Sequence, residues 1–246
     1  MIKINRIGEE RINNQGFLMR IIEYNDTNNI IVEFQDEYKA IVKSYYDSFI
    51  HGKIKNPFHK TSFGVGYIGY TTTRKNGALK ESYKHWYAMI QRCYGKGHEK
   101  YYKDCTVCDE WLCFENFEKW YEENYYEVDG EIMNLDKDIL IKGNKTYSPE
   151  TCIFVPKNIN LLVLNKKKGR GDCLIGVSKT TGKHCFKYRS SFNKTHLGLF
   201  KTEIEAFLEY KKCREKYIKR IADEYKDKIP QKLYDALYNW KIEEDD

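Results

Sequence analysis

Three groups of residues in this chain have types and spacings that could do chemistry. The first lies between residues 134 and 165. Asn134-Leu-Asp-Lys-Asp-Ile-Leu140 has the pattern of a strand, and Lys142 to Pro149 that of a loop. Thr151 to Val155 reads as a returning strand, and Lys157 to Leu164 as the start of a helix. This ββα order puts the Asp136 carboxylate on the first strand with Lys137 beside it, and the Asn160 amide on the helix. The second group is Cys105-Thr-Val-Cys108, half of a zinc knuckle that Cys93, Cys113 or Cys152 would complete. A structural Zn²⁺ needs four ligands converging tetrahedrally, and the alternative is that these thiols simply fill cores. The third group is cationic: Lys166, Lys167, Lys168 and Arg170 lead into a segment carrying Lys183, Lys187, Arg189 and Lys194. Cations clustered in this way suit the phosphates of a polyanion.

These groups need packed elements to hold them, and the composition supplies the material. The 246 residues are 41% hydrophobic and 15% aromatic, which excludes global disorder and allows two or three small domains. No run of 18 apolar residues occurs, and Met1-Ile-Lys-Ile-Asn-Arg6 is not a secretory segment. The expectation is a soluble cytoplasmic protein with no membrane partner, whose eight cysteines sit in a reducing compartment. The net charge of +6 is uneven: residues 1–70 carry +1, 71–165 carry −2 and 166–246 carry +7. Positive charge is thus concentrated in the last third.

The fold class expected is α+β, in five parts. Residues 1–60 read as a small β-barrel, SH3-like or Tudor-like, with strands at 16–24, 30–34 and 38–42. Tyr45, Tyr46 and Phe49 would close it, as core packing rather than as an aromatic cage. Residues 61–79 are rich in Gly, Thr and Ser and read as a linker. Gly64-Val-Gly-Tyr-Ile-Gly69 lacks the strand-then-helix context and the Gly-Lys-Thr ending of a nucleotide loop. Residues 80–165 hold the ββα pattern and two aromatic helices before it, one with Trp86 and Met89, the other with Trp111, Phe114, Phe117 and Trp120. Residues 166–228 form a three-stranded sheet and a long helix, and 229–246 a short helix and an acidic tail.

In the fourth part the turns at Gly182-Lys183 and Asn193-Lys194 separate β-type segments, and Thr202 stands where the helix N-cap belongs. Alternation puts Lys187, Arg189 and Ser191 on one side of the second strand, and Lys194 and His196 on one side of the third. Gly176-Val177, the hairpin, Leu197-Gly-Leu-Phe200, Thr202, Ala206 and Tyr210 resemble the ethylene-response-factor (APETALA-type) DNA-binding domain. That family lays a three-stranded sheet in the major groove of double-stranded DNA. The resemblance implies DNA contacts from Ser178, Arg189, Ser191, Lys194 and His196. Ser178-Lys179-Thr180 replaces the family's arginines after Gly-Val, and Phe186 and His196 stand near the places of its tryptophans.

The ββα stretch resembles the HNH (His-Me finger) nucleases of phages and mobile elements, through its Leu135-Asp-Lys-Asp138 strand and Asn160 on the following helix. The resemblance implies that Asp136 and Asn160 bind one divalent cation. Hard oxygen ligands suit Mg²⁺. Lys137 occupies the place of the family's general-base His, and an ordinary lysine, with a pKa of roughly 10.4, is a poor base at neutral pH. His85 and His98 in the same part could supply a base instead. The expected function is therefore a DNA-binding protein resembling homing endonucleases, with metal-dependent cleavage of double-stranded DNA. Two alternatives stay open: an inactive scaffold that regulates through DNA binding, or an inhibitor of a host defence protein in the host cytoplasm.

Overall fold

From Leu18 onward β-type residues run in stretches broken by turns, and the chain answers with antiparallel strands whose burial alternates. The computed structural model describes residues 5–98, 102–164, 172–180 and 187–244. It is a mixed α+β chain with several small sheets, in two units: residues 1–123 with 146–148, and 124–145 with 149–246. No helix among the described residues is long and apolar enough to cross a membrane.

In the first unit β1 (Glu10–Ile12), β2 (Leu18–Asp26), β3 (Asn29–Phe34) and β4 (Ile41–Ser44) hydrogen-bond in that order. Met19, Ile21, Ile30, Val32 and Phe34 share one face, as a period of two requires, and pack with Ala40, Phe49 and Ile54. α1 (Tyr46–Ile50) delivers Phe49 to that core. The Arg6 guanidinium lies 4.2 Å from the centre of the Tyr46 ring, and Tyr45 is exposed. Tyr45 and Tyr46 line a shallow groove with Thr27 and Asn28, while Phe49 is turned into the core.

The stretch expected as a linker is packed in its first half, where Ser62, Gly66 and Gly69 are buried, and exposed over residues 74–79. It contains the hairpin β5 (Arg74–Lys75) and β6 (Ala78–Leu79), and Tyr67 pairs with the segment around Cys113. The Tyr67 N–H donates to the Leu112 carbonyl (3.0 Å) and the Phe114 N–H to the Tyr67 carbonyl (2.8 Å). That bridge explains why the expected second aromatic helix is two helices, α3 (Asp109–Leu112) and α4 (Phe114–Asn124): Cys113 is held in extended backbone between them. α2 (Glu81–Tyr94) buries Trp86, Met89 and Ile90, and β7 (Thr106–Val107) pairs in parallel with β9 (Thr146–Tyr147).

The second unit starts with β8 (Met133–Asp136), antiparallel to β10 (Ile153–Pro156), and α5 (Lys157–Val163) packs on both. β11 (Val177–Lys179), β12 (Tyr188–Phe192) and β13 (Thr195–Phe200) follow in the order β11-β12-β13. Asn193 and Lys194 both take positive φ, the conformation a two-residue hairpin turn needs. α6 (Glu203–Glu224) begins with a full capping box between Thr202 and Glu205, and α7 (Gln231–Tyr238) comes last.

One hydrophobic core serves the whole second unit. Ile153, Val155, Ile159 and Val163 from the ββα element join Val177, Phe207, Tyr210 and Ile218 from the sheet and α6, and Leu233, Leu237 and Ile242 from the last segment. Gly176 (φ +76°) backs directly onto the Tyr210 ring, where an added Cβ would overlap the ring carbons. Gly176→Ala combines overpacking with an unfavourable φ and is expected to cost about 3 kcal/mol or more. Thermal denaturation checks this; a melting point within a degree or two of the parent would refute it.

Candidate functional site

Asp136 ends β8, and its side chain is the reason the strand stops there rather than running to Leu140. Its Oδ1 accepts from the backbone N–H of Asp138 (2.9 Å) and of Ile139 (2.7 Å), which turns the chain. The carboxyl is 9% exposed. Burial, followed by the charge of Asp138, pushes it up to about 6. Asp138, which was missed as a site residue, lies in the turn just beyond the strand.

Lys137 is not a free amine in this arrangement. It is 8% exposed, and its ammonium donates to Asp138 Oδ2 (3.2 Å) and to the Asn144 carbonyl (3.0 Å). Asn144 answers with a bond from its Nδ2 to the Lys137 carbonyl (2.7 Å). The pair closes the loop after Asp136 on itself. As a general base Lys137 would have to give up its proton, and it is engaged here as a donor.

Asn160 lies on α5, and its Oδ1 is buried with no hydrogen-bond partner among the described residues. An unsatisfied buried amide oxygen costs about 1–3 kcal/mol unless something donates to it or it ligates a cation. Among the described residues no three His, Cys, Asp or Glu side chains come together as a metal site. Two acids and one amide oxygen on this ββα element are the oxygen donors at hand.

Cys105 and Cys108 flank β7. Cys93 lies on α2, and Cys152 is fully buried just before β10. His85 is on α2, and burial lowers its imidazole from the usual range, which favours the neutral ring.

The cationic face is assembled by the register of the C-terminal sheet. Ser178 pairs with Arg189 and Arg189 with Leu199, while Ser191 pairs with His196 beyond a bulge at Ser190/Ser191. Ser178, Lys187, Arg189, Lys194 and His196 are exposed and Ser191 is half-buried. The buried Ser190 and the half-buried Phe192 turn the other way, Phe192 onto Tyr210 at 5.8 Å. Leu199 stands exposed in the middle of the outward row, an apolar group that a search for charges passes over. Lys166, Lys167, Lys168, Arg170 and Lys183 lie outside the described residues.

Compared with protein-family models, with curated proteins and with solved structures, the chain matches none of them.

Proposed function

We propose that the chain is a double-stranded-DNA-binding protein of the HNH endonuclease kind. In this reading the sheet β11–β13 is APETALA-type and meets DNA with its outward row, while the N-terminal sheet belongs to an SH3-like module. Asp136 and Asn160 hold a divalent cation, Mg²⁺ by the hardness of their oxygens. The observation that carries the reading is the pairing of needs on one ββα element. A buried acid is raised toward 6 beside a second carboxyl, and a helical amide oxygen lacks a partner. When bound, the cation would stabilise the leaving oxygen of a phosphodiester. Lys137 and Asn144 hold the adjoining loop in place.

A second reading is favoured by Lys137 itself. Its ammonium is tied to Asp138 and Asn144, which fits a scaffold that binds DNA and does not cut it.

Incubation of supercoiled plasmid with Mg²⁺ or Mn²⁺ separates the two. The parent is expected to nick or linearise the plasmid, and Asp136→Ala to lose about 10²-fold or more of that rate. Binding measured by fluorescence anisotropy is expected to fall with salt, at a slope of roughly −0.9 per phosphate contact. Salt-dependent binding without cleavage selects the scaffold. No binding and no cleavage removes both readings.

A further inference from the structure

Arg214 is a buried cation that no acid neutralises among the described residues. It sits on α6 at 5% exposure, and its Nη1 donates to the Tyr210 hydroxyl (3.0 Å). Its Nη2 donates to the carbonyls of Leu162 (2.9 Å) and Leu164 (3.4 Å) at the end of α5. Those three acceptors account for its partners among the described residues, and none is a carboxylate. A helix C-terminus offers about half a negative charge at best, and α5 is only two turns long. Much of a full charge is thus left over in a place where burying one costs several kcal/mol.

Arg214 lines a groove of about 410 Å³ between α5, the β12–β13 turn and α6. Leu161 and Leu164, both about half exposed, and Tyr217 form apolar walls. Ser191, one of the row expected to meet DNA, lies at its edge with Asn193. Arg220 stands against the Tyr217 ring at 4.9 Å, with Glu224 beside it at 3.7 Å. A lone guanidinium at the floor of an apolar-walled groove fits a phosphate with an uncharged organic group attached.

We propose that this groove is a phosphate-binding site, which takes a backbone phosphate of the DNA strand that leaves the sheet at Ser191. Arg214 receives the phosphate, and Leu161, Leu164 and Tyr217 receive the adjoining sugar. The identity of the strand rests on the DNA-binding reading; the demand for an anion rests on Arg214 alone.

Because Arg214 also ties down α5, the test leaves it intact. Leu161→Glu places a carboxylate on the groove wall, and Leu208→Glu makes the same charge change at an equally exposed position on α6 outside the groove. The full chain and both variants are titrated with a fluorescent DNA duplex, and separately with inorganic phosphate while arginine Nε–H resonances are followed by NMR. Leu161→Glu is expected to weaken the duplex about tenfold or more, and Leu208→Glu less than twofold. Phosphate is expected to move one arginine resonance in the parent and in Leu208→Glu, and none in Leu161→Glu. Equal losses of DNA binding in both variants, or no loss in either, would overturn the site as a strand contact. Parent resonances unmoved by phosphate would overturn it as an anion site. A parent that binds phosphate at this arginine but no duplex upholds the anion site and removes the DNA reading instead.

Discussion

Asp136→Asn is expected to give a protein more stable than its parent at pH 8 that no longer responds to divalent cations. The parent carboxyl is raised from 3.8 to about 6 by burial and by Asp138. The folded state therefore binds this proton more tightly than the unfolded state between those two values. Parent stability should fall as pH rises from about 4 to about 6, and the whole penalty is present above that. A shift of about two units corresponds to on the order of 3 kcal/mol, an upper figure. Asparagine keeps Oδ1 to accept from Asp138 and Ile139, and its Nδ2 can donate to the Asp138 carboxylate. The turn survives while the repulsion goes. If the proposed site takes Mg²⁺ or Mn²⁺, the cation would relieve the same repulsion in the parent, and added cation should raise its melting temperature by mass action, more at pH 8 than at pH 5. Calorimetry at both pH values, with and without Mn²⁺, checks this. A variant less stable than the parent at pH 8 would show that the Asp136 charge is itself stabilising, as a purely structural acceptor would be. Equal cation responses would remove Asp136 from the metal site.

Much of the arrangement around Asp136 was legible in the sequence, and the exceptions have definite causes. Runs of β-type residues between turns located β2 and β3 and part of β4, while the short β1 (Glu10–Ile12) was not read from the sequence. Such runs could not say that the strand through Asp136 ends there, since that depends on a side chain taking two backbone N–H groups. The break at Cys113 was hidden for a related reason: its cause, Tyr67, lies far away in sequence. Arg214 is one of six cations on a helix that carries six acids, so its type alone does not set it apart. Only the fold reveals that it points inward, onto the end of α5. Periodicity also names the buried face of a helix without naming its partner. Ile159 and Leu237 each read as apolar faces of separate modules, yet they belong to the same core.

That shared core sets the last expectation: a chain cut after Lys228 should fail to fold in its second unit, although the cut removes no residue of the outward sheet row. The lost segment supplies Ile229, Leu233, Leu237, Trp240 and Ile242, all 9% exposed or less. Burial of each such side chain is worth about 1.5–3 kcal/mol, so five together approach on the order of 10 kcal/mol. A whole domain is stable by only about 5–15 kcal/mol. Hydrogen bonds go as well. Lys142, in the loop beyond Asp136, donates to the Lys241 carbonyl (3.0 Å), and the Ile242 N–H donates to Glu215 on α6 (3.0 Å). The single change Leu237→Ala should already cost about 2–5 kcal/mol. Its midpoint in urea should drop with the slope unchanged, which marks a loss of stability rather than of cooperativity. For the truncated chain, amide exchange should show unprotected strands at Val177–Lys179 and Tyr188–Phe192, and duplex binding should vanish with them. If those strands stay protected and the duplex still binds, the sheet and α6 stand on their own. The core written above would then be two cores that only touch.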